Sequence, residues 1–431
     1  MTTTHKTSRR GFLRRSARLA GALAAPAVIS AASIGRAGAA APSERLAIAQ
    51  IGFGWIGGSH LGALLGRTDV QYVAACDVNG QKLQQVVSQI NGVYAKRFEK
   101  ALYKACEPYA DFRPMLARKD IDAVVIATPD HWHGPLTIWA AREGKDIYSE
   151  KPLSLTIAEG RAMVQAVRRY GRVFQTGSQQ RSSVFGPFRL GCELIRSGRI
   201  GKVLTVDVST GDPPVACNLP AEPCPDYFDW EMWLGQAPWR PFHSKLASVS
   251  WRPYTEFCGG GLADMGAHHF DIAQWALNMD HTGPVEVLPP DPAANRPRVS
   301  FRYASGVIMN HVGGNCLGLT LHGSDGELYI GRDGLRSNPP QAAREKLGPG
   351  DVRLYQSNDH HGNWIDCIRT RRLCVADVEI GHRSATICHL ANIAYALRRP
   401  LKWDPAAEQF TGDDLANRLL SRAARAPWCL G

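Results

Sequence analysis

Apolar and polar positions follow two different rhythms along this chain. Between residues 46 and 177, largely apolar runs at 46–51, 70–76, 122–127, 146–149 and 173–177 are separated by stretches of helical period at 58–65, 81–89, 112–117, 135–143 and 157–170. Strands that are apolar throughout are buried on both faces, and helices between them supply the crossovers of a parallel, doubly wound sheet. The segment 91–106 is polar and reads as irregular. Beyond Gln179 the texture changes. A strand at 203–210 leads into a Pro- and Trp-rich tract, 211–258, and then a helix at 262–277 opened by Gly259, Gly260 and Gly261. Strand-like runs at 298–303, 307–311, 317–322 and 326–330 follow with no helix between them, which predicts a mostly antiparallel sheet. Helical period returns at 363–369 and 382–397. The fold class expected is α/β: residues 42–177 as a parallel-sheet domain, and 178–431 as a second α/β domain.

The first strand runs directly into Gly52-Phe53-Gly54-Trp55-Ile56-Gly57, a G-x-G-x-x-G turn opening a helix. Such a turn lets main-chain N–H groups at a helix N-terminus hold a pyrophosphate. The second strand ends at Asp77, twenty residues after Gly57, at the offset of the acid that binds ribose hydroxyls. An acid here repels a 2′-phosphate, so NAD is expected and NADP is disfavoured. A plain βαβ unit with Asp77 as a solvated strand end is the alternative.

Charge and length change the picture at the N-terminus. The chain of 431 residues is long for one core, so two domains plus an extension are expected. Residues 1–41 read as an export signal: Ser8-Arg9-Arg10-Gly11-Phe12-Leu13-Arg14 has the twin-arginine pattern, an Ala-rich apolar run follows, and small residues close the segment at Ala39-Ala40-Ala41. Pro26 breaks the apolar run, which argues against a stable membrane anchor. This segment carries seven basic residues and no acid, so removing it takes the formal charge from +11 to +4. That balance gives no reason to expect nucleic-acid binding. The eleven cysteines include no C-x-x-C pair, which argues against structural zinc. Cys217 and Cys224, in the Pro-rich tract, could pair in an oxidising compartment.

Two places carry candidate chemistry. Glu150-Lys151-Pro152 stands at a strand end, where a lysine beside a bound nicotinamide cation could have a lowered pKa and hydrogen-bond a reacting hydroxyl; a surface salt bridge is the alternative. In the helix 262–277, Asp264, His268, Asp271 and Trp275 fall on one face, while His269 points away. An imidazole one turn from a carboxylate suits a general base; a helix cap at Asp264 and a structural histidine are the alternatives. A metal site lacks an evident third ligand, so none is expected.

The glycine loop with Asp77, the turn Thr128-Pro129-Asp130-His131-Trp132-His133, Glu150-Lys151-Pro152 and the D-x-x-x-H-x-x-D helix together resemble the glucose–fructose oxidoreductase / inositol dehydrogenase (Gfo/Idh/MocA) family. The resemblance covers nearly the whole chain after the signal. It is strongest with a twin-arginine-exported branch that also shows the tract from Trp233 to Pro241 and Trp251-Arg252. It implies a Rossmann domain followed by an open-sheet domain whose last helices return to the first. It further implies hydride transfer between a sugar or polyol carbon and NAD. By the same resemblance Lys151 polarises the hydroxyl, His268 shuttles the proton, and Asp264 orients that histidine or touches substrate. Phe53, Trp55, Ile56, Asp77, Thr128, Asp130, His133, Glu150 and Gln179 line the cofactor together with the loop glycines, and His131 and Trp132 face substrate. A carbohydrate substrate, a homo-oligomer (dimer or tetramer) and a periplasmic or other extracytoplasmic location are the expected context. A redox-neutral glycosidase or lyase working through a transient keto-sugar is the alternative activity.

Overall fold

The computed structural model describes residues 44–100 and 102–428; the export signal read at 1–41 lies outside them. The first sheet has six parallel strands: β1 (Leu46–Ile51), β2 (Val70–Cys76), β3 (Glu107–Tyr109), β4 (Ala123–Ile126), β5 (Asp146–Ser149) and β6 (Phe174–Thr176). Their order in space is β3-β2-β1-β4-β5-β6. The order reverses between β1 and β4, so a crevice opens at the carboxyl ends of those two strands. All residues of β4 and β5 are buried, including the polar Asp146 and Ser149 at the two ends of β5.

The crossover helices are α1 (Trp55–Leu65), α2 (Gly80–Arg97), α3 (Phe112–Leu116), α4 (His133–Arg142) and α5 (Ile157–Arg169). Side chains fix where three of them start: Asn79, Asp111 and Thr156 accept a first-turn N–H of α2, α3 and α5. Helix α2 continues into the segment expected to be irregular, because Tyr94 extends the buried stripe of Leu83, Val87 and Ile90 by one more turn. One aromatic in an otherwise polar tract was too faint a periodic signal to read.

The second sheet has nine strands in the order β13-β12-β11-β7-β10-β9-β8-β14-β15. They are β7 (Val203–Ser209), β8 (Glu286–Leu288), β9 (Ser300–Arg302), β10 (Ile308–Val312), β11 (Gly318–Gly323), β12 (Gly326–Gly331), β13 (Gly334–Asn338), β14 (Leu401–Asp404) and β15 (Gln409–Phe410). Every pairing is antiparallel except β7 with β10. Strands β8, β13, β14 and β15 were not anticipated, since each is short. Helix α6 (Phe188–Arg196), also unanticipated, joins α8 (Gly260–Ala276) and α11 (Val378–Leu397) on one face of this sheet.

Between β7 and α8, residues 211–258 form a lobe with its own aromatic core of Phe228, Trp233, Phe242, Trp251 and Phe257, around α7 (Trp230–Leu234). Two short helices, α9 (Gln341–Arg344) and α12 (Asp414–Arg418), lie near the second sheet, and α10 (His360–Thr370) does not. Helix α10 packs Trp364, Ile365 and Ile368 among Ile48, Leu61 and Tyr148 of the first sheet's core, while Val378 and Ala385 of α11 reach that sheet's other face. Cys217 and Cys224 are separate thiols, so the pairing considered for them is not made. No helix among the described residues is long and apolar enough to cross a membrane.

Candidate active site

The glycine loop is held open by sterics. Gly52 has φ +87°, and a Cβ there would stand 2.6 Å from the Ala127 carbonyl oxygen of the neighbouring strand end. Gly57 packs against Gly52 itself and leaves the cleft wall to its neighbours. A Cβ on Gly54 would meet nothing within 4 Å, so open space lies where the loop turns into α1. That helix has no side-chain N-cap, which leaves its first-turn N–H groups for a ligand. Asp77 closes the crevice: its carboxylate accepts the main-chain N–H groups of Phe53 and Asn79, each at 2.8 Å. Burial raises its pKa against those two bonds. Open space over a glycine, an uncapped helix start and a carboxylate at the second strand end fit a dinucleotide.

From this end a continuous cleft of about 1470 Å³ runs across the carboxyl ends of the strands into the second half of the chain. That is larger than one small-molecule pocket needs, and leaves room for a second ligand beside a dinucleotide. Gly52, Phe53, Gly54, Trp55, Ile56, Asp77, Thr128, Asp130, Trp132, Glu150, Lys151, Gln179, Asp264 and His268 all line it.

Two expected lining residues besides Gly57 lie behind the wall. The His133 ring is wedged between the carbonyls of Pro152 (2.6 Å) and Thr128 (3.0 Å), tying the β4 and β5 loops together. The His131 ring, expected near substrate, bonds the Trp233 carbonyl at 2.9 Å, and burial pushes its pKa down to about 3. With the Trp132 indole N–H on the same carbonyl, it docks α7 of the aromatic lobe onto the first sheet.

Lys151 and Asp264 meet directly. The Lys151 ammonium donates to the Asp264 carboxylate at 2.7 Å and to its carbonyl at 2.9 Å. Burial opposes the lysine's charge, but Asp264, Glu150 and Asp130 outweigh it and its pKa is raised. Three nearby carboxyl groups thus outweigh desolvation in the protein alone. Asp264 in turn stays low despite burial, held by Lys151 and by Arg252, whose Nε donates at 3.4 Å.

His268, one turn along α8, forms no ion pair with Asp264 or with any other described carboxylate, so the histidine–carboxylate couple drawn from their spacing is not made. Its Nδ1 is buried without a partner, and burial together with Lys151 and Arg332 drives its pKa well below the ordinary imidazole value. Asp271, on the same face, serves the scaffold instead: it binds the buried Arg181 at 2.8 and 2.9 Å and accepts from the Ser384 hydroxyl.

Two further acids tune the floor. The Asp130 carboxyl is pushed up to about 7 by burial, although the nearby Cys258, Lys151 and Arg252 favour its charged form. Glu150 is also buried, yet hydrogen bonds from His60 (2.9 Å) and Gln179 (2.8 Å) and the nearby Lys151 charge hold it down at about 2. His60 is bonded in turn to His361 at 2.9 Å. His60, His361, Arg252, Arg332 and Trp251 line the cleft and were not singled out as site residues. Their positions come from four distant segments; Trp251-Arg252 enters only as part of the family resemblance, and no local motif marks the other three. Among the described residues there is no group of three His, Cys, Asp or Glu side chains placed to hold a metal ion.

Comparison with known proteins agrees with this layout. Residues 46–178 match the oxidoreductase-family NAD-binding Rossmann fold, and residues 195–430 match the same family's C-terminal alpha/beta domain. Among characterised relatives, the chain is 29% identical over 155 residues to a 2,7-anhydro-N-acetylneuraminate hydratase of Mediterraneibacter gnavus, an alignment covering 36% of this chain and 38% of that one. It is 26% identical over 249 residues to a 1,5-anhydro-D-fructose reductase of Ensifer adhaerens, covering 54% of this chain and 64% of the relative. The matched region thus spans less than two thirds of either relative. A solved levoglucosan dehydrogenase in complex with NADH and L-sorbose shares the fold, with a TM-score of 0.57 at 19% identity over 83% of this chain and 99% of that one. The chain belongs to the Gfo/Idh/MocA oxidoreductase family, by both its NAD-binding Rossmann fold and its C-terminal alpha/beta domain.

Proposed function

We propose that this protein is an exported oxidoreductase that transfers hydride between a sugar or polyol carbon and a tightly held NAD, with Lys151, His268 and Asp264 as its catalytic residues. The observation that carries the reading is one uninterrupted cleft with the glycine loop at one end and the Lys151–Asp264 pair and His268 at the other. When bound, NAD supplies the two-electron acceptor. The start of α1 holds its pyrophosphate, and Asp77 receives ribose hydroxyls and disfavours a 2′-phosphate. Lys151, kept charged by its neighbours, donates to the reacting hydroxyl oxygen and stabilises negative charge that grows there as the carbonyl forms. His268, kept neutral by burial, accepts the hydroxyl proton. Asp264 fixes the ammonium. The rings of Trp132, Trp233 and Trp251 offer apolar faces to sugar C–H groups.

The twin-arginine motif Ser8 to Arg14 supports export in folded form, with the cofactor aboard. Outside the cytoplasm each hydride then has to be handed on at the same site. A homodimer or tetramer is the expected assembly. Purified protein should release NAD on denaturation and should turn over a suitable sugar with no added NAD. Turnover that rises in proportion to added NAD, with free NADH accumulating, would replace retained NAD by an ordinary dissociating dehydrogenase cycle. A second reading is favoured by the relative named as a hydratase: a redox-neutral cycle in which the sugar is oxidised, loses a group by elimination, gains water and is reduced again. It predicts cleavage or hydration with no lasting change in bound-cofactor absorbance.

A further inference from the structure

The substrate end of the cleft holds more cations than it needs for its own pairing. Lys151 and Arg252 share the Asp264 carboxylate; Glu150, the other ionised carboxylate beside Lys151, is already bonded to His60 and Gln179, and burial pushes the Asp130 carboxyl up to about 7. Arg332 adds a third cation. It is the first residue after β12, it lines the same cleft, and no described carboxylate forms an ion pair with it. Its neighbours are otherwise. Arg181 has two aspartates, Arg189 has Glu193, and Arg336, on β13 beyond the same turn, has Asp333.

Arg332 is nevertheless held in place. Its guanidinium carbon stacks over the Phe185 ring, 5.2 Å from the centroid. Its Nε donates to the Gln180 side-chain oxygen at 3.1 Å, in the amide orientation that lets the Gln180 nitrogen donate to the His268 carbonyl at 3.0 Å. The guanidinium is therefore fixed relative to the helix that carries the proposed base. Asp264 acts on it only at a distance, and a half-buried, positioned cation without a contact ion pair is costly unless a ligand supplies one. A guanidinium fork suits a planar or tetrahedral oxyanion better than a lone hydroxyl.

We propose that the substrate is an anionic sugar, and that Arg332 receives its carboxylate, sulfate or phosphate group while the reacting carbon lies at Lys151 and His268. This rests on the sugar oxidoreductase reading for the reaction, though not for the binding. The test uses the holoenzyme and matched sets of the gluco, galacto and manno series: the neutral hexose, its uronate, its 6-sulfate and its 6-phosphate. Binding is followed by tryptophan fluorescence and titration calorimetry, and reaction by bound-cofactor absorbance.

At least one charged member should bind roughly 10–100-fold more tightly than its neutral parent, the span of one charge-assisted pair, and which one binds identifies the oxyanion. Arg332→Gln should remove most of that ratio and Arg332→Lys should restore part of it. If the glutamine variant does not fold, the salt dependence of the native protein decides: rising NaCl should weaken the charged ligand and leave the neutral one. Neutral hexoses binding as tightly as every charged partner, no charged member binding, or an equal loss for all members on Arg332→Gln would each overturn the proposal. Cofactor reduction by neutral hexoses alone would overturn it while leaving the oxidoreductase reading intact. Arg332-dependent binding of a charged sugar that never changes the cofactor or the sugar would do the reverse.

Discussion

The two ends of the cleft are built from different material. The dinucleotide end is main chain: a glycine at positive φ, the uncapped start of α1, and two N–H groups that orient Asp77, all within residues 52–79. The substrate end is side chain: Lys151 follows β5, Asp264 and His268 stand on α8, Arg252 comes from the aromatic lobe and Arg332 from the turn after β12. A site made of backbone is specified by one βαβ unit and is indifferent to what is attached beyond it. A site made of side chains from separate elements exists only once both sheets have formed, and it can be retuned by single substitutions. The difference explains how one Rossmann unit can serve many substrates.

That contrast breaks most visibly at the substrate end. Lys151→Met and His268→Asn should each lower turnover by about 10²–10⁴-fold, the usual range for a group that moves or holds a proton in the transition state. NAD content after denaturation should match wild type, because neither side chain belongs to the main-chain cradle. Equal losses of NAD content and turnover would mean that the two ends are not separable. The pH profile sharpens the same point. Since burial keeps His268 neutral to well below the ordinary imidazole value, the acid limb of kcat/KM should fall below about pH 6.5 rather than at it.

At the other end, Asp77→Ala should weaken NAD binding by about 10–100-fold, the loss of one or two bonds to a charged acceptor, and should erase the preference for NAD over NADP. Lys82, which lines the cleft and lies near Asp77, would then be free to favour a 2′-phosphate. Isothermal titration with both dinucleotides measures the two effects. An unchanged preference would show that discrimination is made elsewhere.

How much of this was legible in the sequence follows the same division. The strand–glycine loop–helix–strand–Asp77 unit was readable because each part is local and each has a steric or electrostatic reason to be what it is. Lys151, Asp264 and His268 were legible as candidates and the structure brings them to one cleft, but the pairing read from their spacing is not the one made. Helical spacing suggested that Asp264 would serve His268, and the tertiary fold gave it to Lys151 and Arg252. His133 looked like a lining residue by its position in the turn, yet its ring faces two carbonyls behind the wall. Arg332 and His361 carried no sequence signal, since a single basic residue after a short strand has no periodicity and no partner nearby in the chain. Strands β8, β14 and β15 were missed for a related reason: two to four residues cannot establish an alternation.

Asp130 lies where the two ends meet, and its carboxyl gives a smaller, pH-dependent effect. Its folded pKa of about 7 exceeds the unfolded value of about 3.9, so between those values the folded state holds a proton that the unfolded state has lost. Stability from this group is therefore fully present below about pH 4, falls as pH rises, and is gone above about pH 7. Asp130→Asn keeps the shape and removes the titration. At pH 8 it should be more stable than wild type by about 1–3 kcal/mol, less than the full shift because the structure relaxes around a buried charge, and the advantage should shrink towards pH 5. Thermal melts at the two pH values measure it. A constant offset between the variants would mean that Asp130 does not titrate in this window.

The smallest effect expected tests whether the aromatic lobe acts only as a wall. Trp251 lines the cleft and carries Arg252 on its face, the guanidinium carbon 4.7 Å from the ring centroid. Trp251→Ala removes an apolar surface for a sugar and also frees Arg252, whose bond to Asp264 is the longer of the two that hold that carboxylate. If the ring only contacts substrate, KM should rise by up to about 10-fold, the worth of one stacking contact of about 1.4 kcal/mol, and kcat should hold. If the ring matters because it steadies Arg252, then Arg252→Met should produce the same change and the double variant should be no worse than either single one. Additive effects would assign the two side chains to separate jobs, one to the sugar face and one to the Asp264 charge. Either way NAD content should stay at the wild-type level. A fall in NAD content would show that the lobe, hydrogen-bonded through Tyr227 and Asp229 to the loop after β2, also clamps the dinucleotide end.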